Sequence, residues 1–151
     1  MMRARKGVPM PMKRSVWLVA LLLAALPCAA EDWKSLRRDA NAMLSVDAQS
    51  IQRKGDEATL KYMVDFRAPQ GNPRNERSYR SIVVSAKVNC KKRTMGITHT
   101  DAYAQYGAQG IIVAKSKLNK AESAYKPLER DSSDEDVWRF VCEENKEAAK
   151  K

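Results

Sequence analysis

A chain of 151 residues has room for one domain beside a targeting segment, and no more. Its 28 Lys+Arg against 18 Asp+Glu give a net charge of +10, which invites a nucleic-acid partner. The first thirty residues argue against that partner, because they address the chain to another compartment.

Residues 1–14 carry Arg3, Arg5, Lys6, Lys13 and Arg14 and no acid, and Val16 to Leu26 follows as an unbroken apolar run. Eleven apolar residues are too few to span a bilayer, which takes about 20, but they suit the apolar core of a signal peptide. Pro27 ends the run, and Cys28-Ala29-Ala30 supplies small residues ahead of Glu31, so cleavage is expected after Ala30. The chain thus divides into a signal peptide, 1–30, and a domain, 31–151. Proline next to Cys28 argues against lipidation of that cysteine. Removing 1–30 takes Lys+Arg from 28 to 23 against an unchanged 18 Asp+Glu, a net of +5. A moderately basic exported domain meets anionic lipid head groups, polysaccharide or acidic patches on proteins rather than nucleic acid.

In chain order, the pattern after Glu31 is mostly alternation of apolar and polar residues. Trp33 to Arg38 reads as a first strand and Ala42 to Val46 as a second, with Asp47-Ala48-Gln49-Ser50 as a turn. After Lys54-Gly55-Asp56 comes the clearest strand, in which Ala58, Leu60, Tyr62, Val64 and Phe66 share a face and Met63 is the apolar intruder on the other. Ala68 to Ser78, with Pro69, Gly71, Asn72 and Pro73, reads as an exposed connection carrying Arg74 and Arg77. In the strand from Tyr79 to Cys90, Ile82, Val84, Ala86, Val88 and Cys90 share one parity, which aims Cys90 at the apolar face. Lys91-Lys92-Arg93 is a basic turn, Thr94 to Thr100 a strand, Asp101 to Gly110 a loop, and Ile111 to Ala114 a short last strand.

The polar stretch Lys115 to Arg130 leads into a helix start. Ser132 and Glu135 fit a capping box, and Asp134, Glu135 and Asp136 suit the positive end of a helix, as Lys146, Lys150 and Lys151 suit its negative end. Val137, Trp138 and Val141 recur at helical spacing, with Cys142 on the Trp138 edge of that stripe. The two cysteines beyond Ala30 therefore face one another across the apolar interface, and the oxidising compartment favours a Cys90–Cys142 disulfide over two buried thiols. Closing a loop of about 50 residues is worth on the order of 4 kcal/mol in the chain-entropy model.

Trp33, the segment Ser45-Val46-Asp47-Ala48-Gln49-Ser50-Ile51, Val88-Asn89-Cys90 and Val141-Cys142 together resemble the bacterial surface-adhesin protein E family. The resemblance implies an α+β fold: a single antiparallel sheet of about six strands, with a C-terminal helix tied to one face by the disulfide. It also implies an envelope location, periplasm or outer cell surface, and adhesion to host proteins. Tyr125-Lys126-Pro127-Leu128 stands where the family pattern has a tryptophan and a Pro-Gly-Ser turn.

The residues offer little chemistry. His99 is the one histidine and has no Glu-x-x-His or Cys-x-x-Cys company, no Gly-x-Ser-x-Gly elbow exists, and phosphate-binding glycine loops are absent. No cofactor, metal or catalytic residue is expected. The binding candidates are Lys91, Lys92 and Arg93, on a turn held by the staple, and Arg74 and Arg77 on the long connection. Solvated lysines that block sheet-edge aggregation are the competing explanation of such clusters. Two functions stand: an envelope binding module for a protein or polyanionic ligand, and a periplasmic accessory protein without catalytic activity.

Overall fold

The computed structural model describes residues 31–72 and 76–144. Six strands follow one another: β1 (Trp33–Arg38), β2 (Ala42–Lys54), β3 (Glu57–Gly71), β4 (Ser78–Asn89), β5 (Thr94–Tyr103) and β6 (Ile112–Lys117). They lie side by side in chain order, each antiparallel to its neighbour, and the two-residue β7 (Lys126–Pro127) pairs with the start of β5. The helix α1 (Ser133–Arg139) and a π-helical turn (Phe140–Glu144) close the chain. The single antiparallel sheet, the C-terminal helix and the Cys90–Cys142 disulfide are all as the sequence leads one to expect.

One face of the sheet carries the core. Leu44 and Val46 of β2, Ala58, Leu60 and Tyr62 of β3, and Val84, Ala86 and Val88 of β4 pack with Val137, Trp138, Val141 and Cys142. Each such side chain contributes on the order of 1.5–3 kcal/mol when fully buried, so this interface fixes where the helix sits. Arg37 ties the helix to the edge strand, with Nε 2.7 Å from Asp136 Oδ2 and its Nη atoms donating to the Asp131 carbonyl. The Cys90–Cys142 bond joins positions 52 residues apart.

Several boundaries differ from the sequence reading, each for a local reason. Asp47 to Ser50 does not turn the chain; β2 runs on to Lys54 through an irregularity between Asp47 and Gln52. There Asp47 Oδ1 accepts from the Asp32 and Gln49 amides, and Ser50 Oγ donates to the Asp47 carbonyl while accepting from the Lys61 amide. Side chains supply turn-like hydrogen bonds, so the strand bulges without breaking. The connection after Phe66 is shorter than expected, because β3 and β4 keep pairing at Gln70↔Tyr79 and Gly71↔Ser78. Likewise β5 extends to Tyr103, and β6 runs from Ile112 to Lys117 instead of stopping at Ala114. Lys146, Lys150 and Lys151 lie outside the described residues, as does the expected signal peptide.

The far face is not simply solvated. Met63, read as an intruder, is buried there with Ser45, Asp47, Asp65 and Ser81. The loop after β5 folds over this end of the face: Gly107 N–H donates to Asp65 Oδ1 (2.7 Å), Ala108 N–H to Ser81 Oγ (3.1 Å), and Ser81 Oγ–H to the Gln105 carbonyl (2.6 Å). Burial, then Asp101 and Glu31, raise the Tyr103 phenol above its ordinary range.

Candidate binding surface

Strand register sorts the predicted cations into two groups. The row Lys54, Glu57, Asn89, Thr94 and Pro127 marks one end of the sheet, and the row Arg38, Met43, Asp65, Ser81 and Tyr103 crosses it towards the other. The eight steps from Glu57 to Asp65 along β3 separate these rows by about 27 Å at strand rise. Lys91, Lys92 and Arg93 belong to the first end. Arg77, exposed at the foot of the β3–β4 hairpin, belongs to the second, and Arg74 lies outside the described residues. The two clusters do not form one site.

The Lys91–Arg93 turn is built as a rigid platform. Asn89 Oδ1 accepts from the Lys92 amide at 2.8 Å, the Cys90 amide donates to the Asp56 carbonyl at 2.8 Å, and Cys90 itself is bonded to the helix. Arg93 adopts a left-handed backbone, φ 51°, which closes the turn. Its side chain folds back rather than out. The guanidinium pairs with Glu135 and lies 4.5 Å from the centre of the Trp138 ring. Arg93 is therefore a strut between turn and helix, while Lys91 and Lys92 are exposed and make no ion pair among the described residues.

Glu135 anchors the other end of that strut. Ser132 Oγ accepts from the Glu135 amide (3.1 Å), and a Glu135 carboxylate oxygen accepts from the Asp131 amide (2.8 Å). The expected capping box is thus present, with its return bond one residue further back. The Asp131 amide, then Arg93 and Arg139, hold the Glu135 carboxyl below its ordinary range. Burial instead pushes Asp134 up, although the Tyr62 hydroxyl donates to it at 3.4 Å, and burial and Asp134 raise the Tyr62 phenol in turn. Arg53 caps the closing turn by donating to the Val141 carbonyl, with Cys90 Sγ 3.8 Å away.

Acids and bases are used differently across the described residues. Several carboxylates are held by the chain: Asp39 by the Asn41 and Ala42 amides, Asp47 by Asp32 and Gln49, Asp65 by Gly107, Asp101 by His99, and Glu122 by the Asn119 amide. Lys54, Lys61, Arg67, Lys91, Lys92, Lys115 and Lys117 are exposed and form no ion pair among the described residues. No three His, Cys, Asp or Glu gather as a metal site, and no helix is long and apolar enough to cross a membrane, among the described residues.

These features define a small α+β protein, stapled by one disulfide, that presents cationic ends on a rigid sheet. The chain belongs to the surface-adhesin protein E family, whose model matches residues 33–143. Among solved structures it is similar to Haemophilus influenzae protein E, at 18% identity and a TM-score of 0.55 over 73% of this chain and 83% of that one. A second crystal form of that protein gives 16% identity and a TM-score of 0.52, covering 76% and 96%. Protein E from non-typeable Haemophilus influenzae gives 18% and 0.53, covering 78% and 80%. At these identities the likeness is one of fold. No curated protein sequence matches the chain significantly.

Proposed function

We propose that this chain is an exported envelope binding module of the adhesin kind, matured by removal of residues 1–30, whose Lys91–Lys92 turn meets an acidic protein or polyanionic partner. The observation that carries this reading is the division of labour within the turn. Arg93 is drawn into the helix interface, and two lysines without a carboxylate partner among the described residues are left on a backbone fixed by Asn89 and the disulfide. With the backbone already ordered, only the two lysine side chains lose freedom on meeting an anion. Family membership supports a surface-adhesin-like role at the same coarse level.

The test pairs Lys91→Gln/Lys92→Gln with the parent chain on immobilised heparin and a panel of extracellular-matrix proteins. Saturable binding that weakens with salt, and that is weakened but not abolished on heparin in the double variant, is expected. Protease shaving of intact cells should remove the domain. Absence of binding to every probe, together with full protection on intact cells, would favour the periplasmic accessory role instead.

A further inference from the structure

The opposite end of the sheet holds a recess that the sequence does not single out. Arg38 of β1, Met43 of β2, and Asp65 and Arg67 of β3 line it with Ala42 and Tyr106, around an open volume of about 350 Å³. Arg38 pairs with Met43 and Met43 with Asp65 across the strands, so register alone brings two arginines 29 positions apart to one place. Neither guanidinium forms an ion pair among the described residues; Arg38 donates only to the Met43 thioether, at 3.2 Å. The nearby carboxylates are occupied, Asp39 by two amides of its own turn and buried Asp65 by the Gly107 amide. Tyr106 forms the aromatic wall. Its hydroxyl donates to the Arg67 carbonyl and accepts from Arg80 Nη1 (both 2.6 Å), Arg80 lies over one face of the ring at 5.0 Å from its centre, and the residue is 45% exposed.

We infer that this recess is a subsite for an acidic sugar, a uronate or sulfated pyranose within a glycan chain. Guanidinium forks match carboxylate and sulfate oxygens two at a time, which an ammonium does not. A fixed tyrosine beside them offers an apolar surface to the C–H face of a pyranose ring while its hydroxyl keeps the loop in place. The volume lies within the range of small-molecule sites, about 300–1,000 Å³. A lipid surface fits less well, because the arginines line a concavity, and Ile111, the most exposed large apolar side chain, is not part of it. This subsite lies at the far end of the sheet from Lys91 and Lys92 and goes beyond the reading above.

The experiment is a titration of the purified protein with a heparin tetrasaccharide, followed by amide NMR shifts. Hyaluronan tetrasaccharide, inorganic sulfate and phosphatidylglycerol vesicles serve as comparison probes. Saturable shifts are expected at Arg38, Met43, Arg67 and Tyr106 with either sugar. Arg38→Gln and Arg67→Gln should each weaken affinity about tenfold or more, the scale of one charge-assisted hydrogen bond, with Lys substitutions restoring little. Lys91→Gln/Lys92→Gln should leave affinity at this subsite within about twofold on the same scale. Both arginines are exposed, so their variants are expected to melt with the parent; should one unfold, the other decides. Shifts confined to residues 89–93, equal losses whichever cations are removed, tighter binding to vesicles than to sugar, or no saturation would each overturn the assignment. The first of these would leave the Lys91–Lys92 proposal standing, and loss of binding in the lysine variant alone would do the same.

Discussion

Arg93 shows how one side chain can change its meaning once its neighbours are known. In the sequence it is the third member of a basic run, indistinguishable from Lys91 and Lys92. In the structure it carries the one guanidinium that both pairs with Glu135 and stacks on Trp138. Arg93→Gln should therefore lower the melting temperature, whereas Lys91→Gln/Lys92→Gln should leave it unchanged; denaturation followed by circular dichroism separates the two. Arg93→Glu should be worse still, because it places a carboxylate against Glu135. Gly96 is a second case. A Cβ built there would lie 2.5 Å from the Ser123 carbonyl, so the close approach of the 119–124 loop to β5 requires glycine. Gly96→Ala should displace that loop and destabilise by about 1–3 kcal/mol, measurable in urea. Neither role is visible in composition or periodicity, since each depends on residues tens of positions away.

At the scale of elements, the alternating strands and the capped helix were legible because each follows from local spacing. Cys90 parity and the Ser132–Glu135 box were read without any tertiary information. What stayed hidden was that β2 runs past Asp47 and Ser50 to Lys54, because their side chains supply the hydrogen bonds of a bulge that no period announces. The recess was hidden for a related reason: Arg38 and Arg67 meet only through register. The helix start also has a pH signature. Glu135 titrates below its ordinary range when folded, so the unfolded chain takes up its proton first. The stability it contributes is complete above the unfolded value and is lost as pH falls through the lower, folded one. Melting temperature should fall on going from about pH 6 to about pH 3, and Glu135→Gln should flatten that part of the profile. Asp134, shifted upward, works in the opposite sense and blunts the effect.

The described residues share one principal core, formed between sheet and helix. Trp138 sits inside it and reports on helix docking, while far-UV circular dichroism reports mainly on the strands. The two signals should therefore change together in a single transition for the oxidised protein. Reducing the disulfide, or replacing Cys90 by Ala, should lower the midpoint by an amount equivalent to about 2–5 kcal/mol. A fluorescence change well ahead of the dichroism change, in the oxidised protein, would show that the helix detaches from an intact sheet.

The order of the strands has a further consequence. Because each of β2 to β6 pairs with the strand just before it, these strands meet their partners in the order of the chain. No strand waits for a distant segment, which keeps loop-closure entropy small and zipping quick. The exception comes last. The surface formed by Leu60, Val84 and Val88 stays uncovered until Trp138, Val141 and Cys142 arrive, so the sheet exposes an apolar face until the helix docks. For a chain of this design, the interval before residues 137–142 reach the sheet is when a protective chaperone matters most.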